Sequence, residues 1–340
     1  MKAAVMHEVG MPLRIEDVGV PEIGPEEVLV ETRACGICGT DLHILSGYGY
    51  VPPLPHILGH EPAGVVAAVG DRVTELKPGD RVAPYLFMNC EHCYYCRMGR
   101  HEQCTDLKGI LGVLVPGAFA EYFKAPAANL YRLPDSVGFD VGGLLADAVV
   151  TSVHAFKRSS LKLGDTAVVI GAGGIGLVLV QILKAAGFRV IGVSRSDASL
   201  HLAKQLGADM VGKSGDPETA SKIKDFTHGF GAQCAFDCVG KGQTMRESAD
   251  YVMKCGRIVV IGEERDELSI NTTEIAQREL EIIGSRNGTR QDMLEAIGLL
   301  EAGIVKPPIA RYFPLDEIND AFDFLRRGTQ GRVIVTAGTA

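Results

Sequence analysis

Four cysteines, Cys90, Cys93, Cys96 and Cys104, lie in the stretch CEHCYYCRMGRHEQC at the spacing C-x2-C-x2-C-x7-C. Four thiolates on one loop complete a tetrahedral zinc shell and leave no position for a substrate. Iron–sulfur clusters also take four cysteines, but at other spacings. We therefore expect a structural zinc here, with His92 and His101 as solvated neighbours. A second group is more dispersed. ACGICGTDLH (34–43) holds Cys35, Cys38, Thr40, Asp41 and His43, and LGHEPAG (58–64) holds His60 and Glu61. Cys38 and His60 are candidate ligands of a second metal site, although a buried core position also suits either cysteine.

A third group handles phosphate. GAGGIG supplies Gly171, Gly173 and Gly176 as G-x-G-x-x-G, with Gly174 and Ile175 inside the motif. It follows an apolar strand-like run and opens a helical one. Backbone can then approach a pyrophosphate, and the helix N-terminus can receive it. After the next strand, GVSRSD places Ser194 and Arg195 where an NAD-binding chain carries a carboxylate, and Asp197 comes too late. Arg195 clasping a 2′-phosphate, with Ser194 donating to it, favours NADP(H); an exposed arginine with NAD(H) also accepted is the alternative.

These groups need scaffolds. The chain has 340 residues, 46% of them hydrophobic and 22% charged, which predicts two domains with full cores. The formal net charge is −8 and no basic run is present, which argues against nucleic acid as a partner. The opening MKAAVMHEVG lacks the apolar region of a signal peptide, and nine cysteines suit metal binding in a reducing compartment, so a cytoplasmic protein is expected. Thr166 to Leu183 is uncharged and near the length of a membrane span, but its glycines make it read as strand, turn and helix. No membrane partner is expected.

Residues 1–150 are rich in Gly, Pro and short alternating runs, such as 26–34, 63–70 and 79–85, which predicts a β-rich partial barrel. The zinc lobe occupies about 89–105 within it. From 151 to 288, apolar strands at 166–170, 189–193, 234–240, 256–262 and 280–285 alternate with helical patterns, which predicts a parallel sheet covered on both faces. Residues 289–340 carry two helical patterns and a final strand, RVIVT, and are expected to rejoin the first domain.

CGICGTDLH (35–43), LGHEPAGVVAAVG (58–70), KPGDRV (77–82), the four-cysteine loop and VVIGAGGIG (168–176) occur in this order along nearly the whole chain. In these motifs the chain resembles the zinc-dependent medium-chain alcohol dehydrogenases. The resemblance implies an α/β fold: a β-rich GroES-like catalytic domain plus a doubly wound Rossmann domain. It implies two Zn²⁺ per chain, the catalytic one held by Cys38, His60 and a third ligand. The family commonly has a cysteine four residues before a threonine there; this chain has DAVVT, so Asp147 stands in that place, as ligand or as a helix N-cap. Glu61 is implied as a fourth ligand before substrate enters, or as a neighbour. Asp41 is implied to orient His60, or else only to stabilise its turn.

The implied reaction passes hydride between an alcohol carbon and NADP(H), with zinc as Lewis acid and an aldehyde or ketone as product. Thr40 and His43 resemble a proton relay running through the cofactor ribose; an ordinary polar residue at a cleft edge also explains His43. Thr151 is implied beside the nicotinamide and Arg332 at the pyrophosphate. Tyr48, Tyr50 and Leu86 either line a substrate pocket or simply pack. Dimers and tetramers are the implied oligomers. Two rivals are a zinc-free quinone or enoyl reductase and a non-enzymatic NADPH-binding protein. The first should lack the four-cysteine loop and the Cys38/His60 pair, and the second should have lost a ligand or the relay; this chain keeps them all.

Overall fold

The computed structural model describes residues 1–337. The chain divides into two compact units. One comprises Met1–Asp147, Thr289–Glu301 and the chain from Ile309; the other comprises Ala148–Gly288 and Ala302–Pro308.

The first unit is built on a seven-stranded sheet. Its strands run in the order Leu130–Arg132, Arg81–Pro84, Glu61–Val69, Glu27–Ile37, Arg332–Thr336 and Ile309–Pro314, with Tyr122–Pro126 also paired to Glu27–Ile37. Glu27–Ile37 organises it. Val28, Val30, Thr32 and Ala34 alternate inward, as a half-buried strand requires, and the last four residues are buried throughout. Its antiparallel register pairs Gly36 with Glu61 and Ile37 with Val333. Cys38, one residue beyond this strand, is thereby brought near His60, one residue before the strand Glu61–Val69, and Arg332, the first residue of the strand Arg332–Thr336. Cys35 belongs to the core of this unit, as expected.

The second unit is a six-stranded parallel sheet. Its order is Met210–Lys213, Arg189–Ser194, Thr166–Ile170, Ala232–Asp237, Val252–Val260 and Glu281–Gly284, which by chain order within the sheet is 3-2-1-4-5-6. That is the doubly wound dinucleotide-binding order. The central strand TAVVI is fully buried: Ala167 and Val169 enter one core layer, Val168 and Ile170 the other. A strand with both faces covered reads as an unbroken apolar run, which is why this one was evident. No periodicity announces the edge strand Met210–Lys213, because it is short, half-exposed and interrupted by Gly212. GroES-like and Rossmann units are thus both present, as the motifs implied. No helix among the described residues is long and apolar enough to cross a membrane.

Candidate metal centres and nucleotide site

The four-cysteine loop is organised by its own backbone. Cys93 occupies the N-cap of the short helix Tyr94–Arg97, and its sulfur accepts from the Cys96 N–H at 3.5 Å. The Cys90 sulfur accepts from the Cys93 N–H at 3.3 Å, and the Cys104 sulfur from the Cys90 N–H at 3.5 Å. Such bonds stabilise thiolates. The Cys96 and Thr105 N–H groups pull the Cys93 thiol down to about 5. Sulfur–sulfur separations are 3.6 Å for Cys90–Cys104, 3.9 Å for Cys93–Cys104 and 4.0 Å for Cys90–Cys96. A tetrahedron with Zn–S bonds of about 2.3 Å has edges of about 3.8 Å, so the donor set fits zinc. All four are free thiols. His92 is exposed, as expected, whereas His101 is largely buried beside Glu91.

The second cluster is assembled from distant segments. Cys38 is the N-cap of the helix Gly39–Leu45, and its N–H donates to Asp41 Oδ2 at 2.9 Å. The other Asp41 oxygen lies 3.1 Å from His60 Nδ1, and both side chains are buried. Asp41 therefore fixes the imidazole so that Nε2 remains for a metal. Asp147 lies on a π-helical turn, Leu145–Val149; the N-cap of the following helix Val150–Ser159 is Val149. The N-cap alternative for Asp147 is thereby corrected: the widened turn aims its carboxylate at Cys38, whose sulfur is 3.3 Å from Asp147 Oδ2. Donor atoms of Cys38, His60, Glu61 and Asp147 all lie within 4.8 Å of one another. Gly36 makes room for this: a Cβ there would sit 2.2 Å from Glu61 Oε2.

The electrostatics of the set suit a cation. Burial pushes the Glu61 carboxyl up to about 8, with the Asp147 charge adding to this and Arg332 opposing it. Burial also opposes ionisation of Asp147, yet Arg332 and His60 hold it down at about 2. For His60, burial works against the charged form, but the Asp41 carboxylate outweighs it and raises the imidazole well above its ordinary value. Thiolate, carboxylate and imidazole donors buried close together are the ligand chemistry of zinc.

Arg332, which the resemblance implies at the pyrophosphate, lies beside two carboxylates of this cluster. Its buried guanidinium donates to Asp147 Oδ2 at 3.1 Å and forms an ion pair with Glu61 Oε1 at 2.8 Å, so it stands inside the Cys38, His60, Glu61 and Asp147 cluster. The sequence held no signal for this, because it depends on which strand lies beside Glu27–Ile37. Thr40 Oγ1 lies 3.9 Å from the Cys38 sulfur, and His43 packs edge-on against the Tyr48 ring, centroids 5.0 Å apart. Thr151 is buried on the helix Val150–Ser159.

In the second unit, strand Thr166–Ile170, the turn at Gly171–Gly173 and helix Gly174–Ala185 follow the expected order. Gly171 has φ +92°, and a Cβ on Gly176 would sit 2.0 Å from the Gly171 carbonyl oxygen. A Cβ on Gly173, the helix N-cap, would meet nothing within 4 Å, which leaves an open cradle at the helix N-terminus where a pyrophosphate fits. Gly174 and Ile175 form the first helical turn behind it. Ser194 ends its strand, and Arg195 follows on the surface.

Comparison with known proteins gives the same picture. Residues 24–135 match the alcohol dehydrogenase GroES-like domain, and residues 174–302 match the zinc-binding dehydrogenase family. An alcohol dehydrogenase of Geobacillus stearothermophilus is 38% identical over 338 residues, covering 98% of this chain and 99% of that protein. A NAD-dependent alcohol dehydrogenase of Sulfolobus acidocaldarius is 35% identical, covering 98% of this chain and 99% of that protein. The crystal structure of the Aeropyrum pernix alcohol dehydrogenase superposes with a TM-score of 0.93 at 31% identity, covering 99% of this chain and all of that one. With both domain types in place and the whole length matched, the chain belongs to the zinc-type medium-chain alcohol dehydrogenases, NAD(P)-dependent oxidoreductases.

Proposed function

We propose that this dehydrogenase interconverts an alcohol and its aldehyde or ketone by hydride exchange with NADP(H), takes NAD(H) less readily, and carries two zinc ions per chain. The observation that supports this most is the buried meeting of Cys38, His60, Glu61 and Asp147. Cys38, His60 and Asp147 would hold the zinc, which would supply Lewis acidity to the substrate oxygen, and the nicotinamide would supply or accept the hydride.

The chain's own residues orient and discharge. Asp41 keeps Nε2 of His60 on the cluster side. Arg332 offsets the carboxylates of Glu61 and Asp147. It holds Glu61 in place as the fourth donor, the one that substrate would displace. Thr40, next to the Cys38 sulfur, accepts the substrate hydroxyl proton as it gives up its own, which would pass through the cofactor ribose to His43 and from there to solvent. Burial of the set keeps water from competing for these dipoles. The four-cysteine lobe plays no part in chemistry, because a closed thiolate shell has no open position.

Arg195 and Ser194 support the NADP(H) preference, with no carboxylate in the position that grips a 2′-hydroxyl. Thr151 is assigned to the nicotinamide side. A hard carboxylate ligand at Asp147 leans towards secondary alcohols and ketones. A cytoplasmic homo-oligomer, dimer or tetramer, is the working form implied by the family.

Initial rates of the zinc-loaded enzyme with primary, secondary, aromatic and polyol alcohols, each with NADP⁺ and NAD⁺, test the reading. Turnover of secondary alcohols at a higher kcat/KM with NADP⁺ is expected. No turnover of any class, with nucleotide still bound, overturns it.

A further inference from the structure

We propose that Lys213 is a second cation for the 2′-phosphate of NADP(H), and that Asp197 competes with the phosphate for it and so limits the preference over NAD(H). This rests on the NADP(H) reading above and adds residues to it. Sequence spacing offers no reason to connect Lys213 with Ser194, nineteen positions away, whereas the sheet does. The edge strand Met210–Lys213 runs parallel to Arg189–Ser194, and the register pairs Ser194 with Lys213. The Ser214 N–H donates to the Ser194 carbonyl at 3.1 Å. Both strands therefore end together, at the carboxyl edge where doubly wound sheets bind nucleotides.

The backbone beyond Lys213 is anchored. Ser214 Oγ donates to Glu247 at 2.9 Å and the Gly215 N–H donates to it at 3.0 Å. Lys213 thus projects from a fixed point. Its Nζ is 2.8 and 3.0 Å from the two carboxylate oxygens of Asp197, in the first turn of the helix Asp197–Gln205. The same short segment, 194–197, therefore carries Ser194, Arg195 and the carboxylate that holds Lys213.

This pair is easily broken. The side chains are 49% and 82% exposed, and ion pairs in such a setting are weak. The lysine stem turns on rotatable bonds without moving the strand. A phosphate carries more charge than one carboxylate and presents three acceptor oxygens, so it draws Nζ away from Asp197. A ribose 2′-hydroxyl has no such charge, and with NAD(H) the pair stays closed. Lys213 therefore adds to NADP(H) affinity alone, and Asp197 reduces what it adds.

Calorimetric titration of the zinc-loaded enzyme with NADP⁺ and with NAD⁺ tests this in wild type, Lys213→Met, Lys213→Arg and Asp197→Asn. Lys213→Met is expected to weaken NADP⁺ about five-fold while NAD⁺ changes less than about two-fold, with Lys213→Arg restoring NADP⁺. Asp197→Asn is expected to tighten NADP⁺ about two- to three-fold without affecting NAD⁺. Retained NADP⁺ affinity in Lys213→Met, or equal loss of both nucleotides, overturns the assignment of Lys213. Weaker NADP⁺ binding in Asp197→Asn overturns the competition and makes Asp197 the residue that positions the lysine. Wild type that binds NAD⁺ as tightly as NADP⁺ overturns the NADP(H) reading itself, and is separate from either result.

Discussion

The two cysteine-bearing clusters differ in how they are made. Cys90, Cys93, Cys96 and Cys104 lie within one loop, each sulfur within 3.6–4.0 Å of a neighbour, and backbone N–H groups of the same loop stabilise three of them. Cys38, His60, Glu61 and Asp147 come from a helix N-cap, a strand start and a π-helical turn, with Arg332 from a fourth segment. The first set is chemically uniform and closed. The second mixes sulfur, nitrogen and oxygen, holds more donors than three ligands require, and carries a buried cation against its surplus charge. A uniform local set is suited to holding a metal for stability, and a mixed set with a spare donor to exchanging one ligand for substrate.

The largest effect that tests this contrast is Cys38→Ser. Turnover should fall about a thousand-fold or more, while NADPH binding stays within a few-fold, as single-turnover rates and titration would show. Full activity would refute the catalytic role of the mixed cluster. Asp41→Asn keeps the shape but removes the charge that fixes His60. Metal affinity or kcat should drop about 10–100-fold, checked by chelator competition beside rate measurements.

Cys96→Ser strikes the other cluster. It should cost one of two zinc ions by elemental analysis and lower Tm by about 5 °C or more, with kcat of the folded enzyme changing little. A loss of kcat as deep as that of Cys38→Ser, without loss of stability, would erase the distinction between the clusters.

The smallest effect is seen with metal removed. Burial raises the Glu61 carboxyl from 4.5 to about 8. The folded chain then binds this proton more tightly than the unfolded chain. Its contribution to stability is full below about pH 4.5 and is lost as pH rises through about 8. His60, also raised, acts in the same direction. Asp147, lowered from 3.8 to about 2, acts oppositely, and its contribution is lost only as pH falls below 3.8. Melting curves of metal-stripped protein should therefore show Tm falling from about pH 5 to pH 8, with a shallower slope in Glu61→Gln.

The sequence by itself determined what short-range chemistry dictates. The four-cysteine loop, the buried strand TAVVI and the glycine turn after it are each written within about fifteen residues, because spacing, hydrophobic runs and glycine act locally. The change of rhythm near residue 150 divided the chain into a β-rich and a parallel-sheet unit, and the resemblance identified these as GroES-like and Rossmann. The tertiary structure decided what depends on strand order and register. Pairing of Glu27–Ile37 with Arg332–Thr336 carries Arg332 into the cluster of Cys38, His60, Glu61 and Asp147. A π-helical turn, which no spacing announces, gives the Asp147 carboxylate to Cys38 instead of to a helix cap. Parallel pairing likewise brings Lys213 beside Ser194 and gives Asp197 its partner. Neighbours across a sheet are chosen by the burial of whole strands, a long-range term that no window of sequence contains.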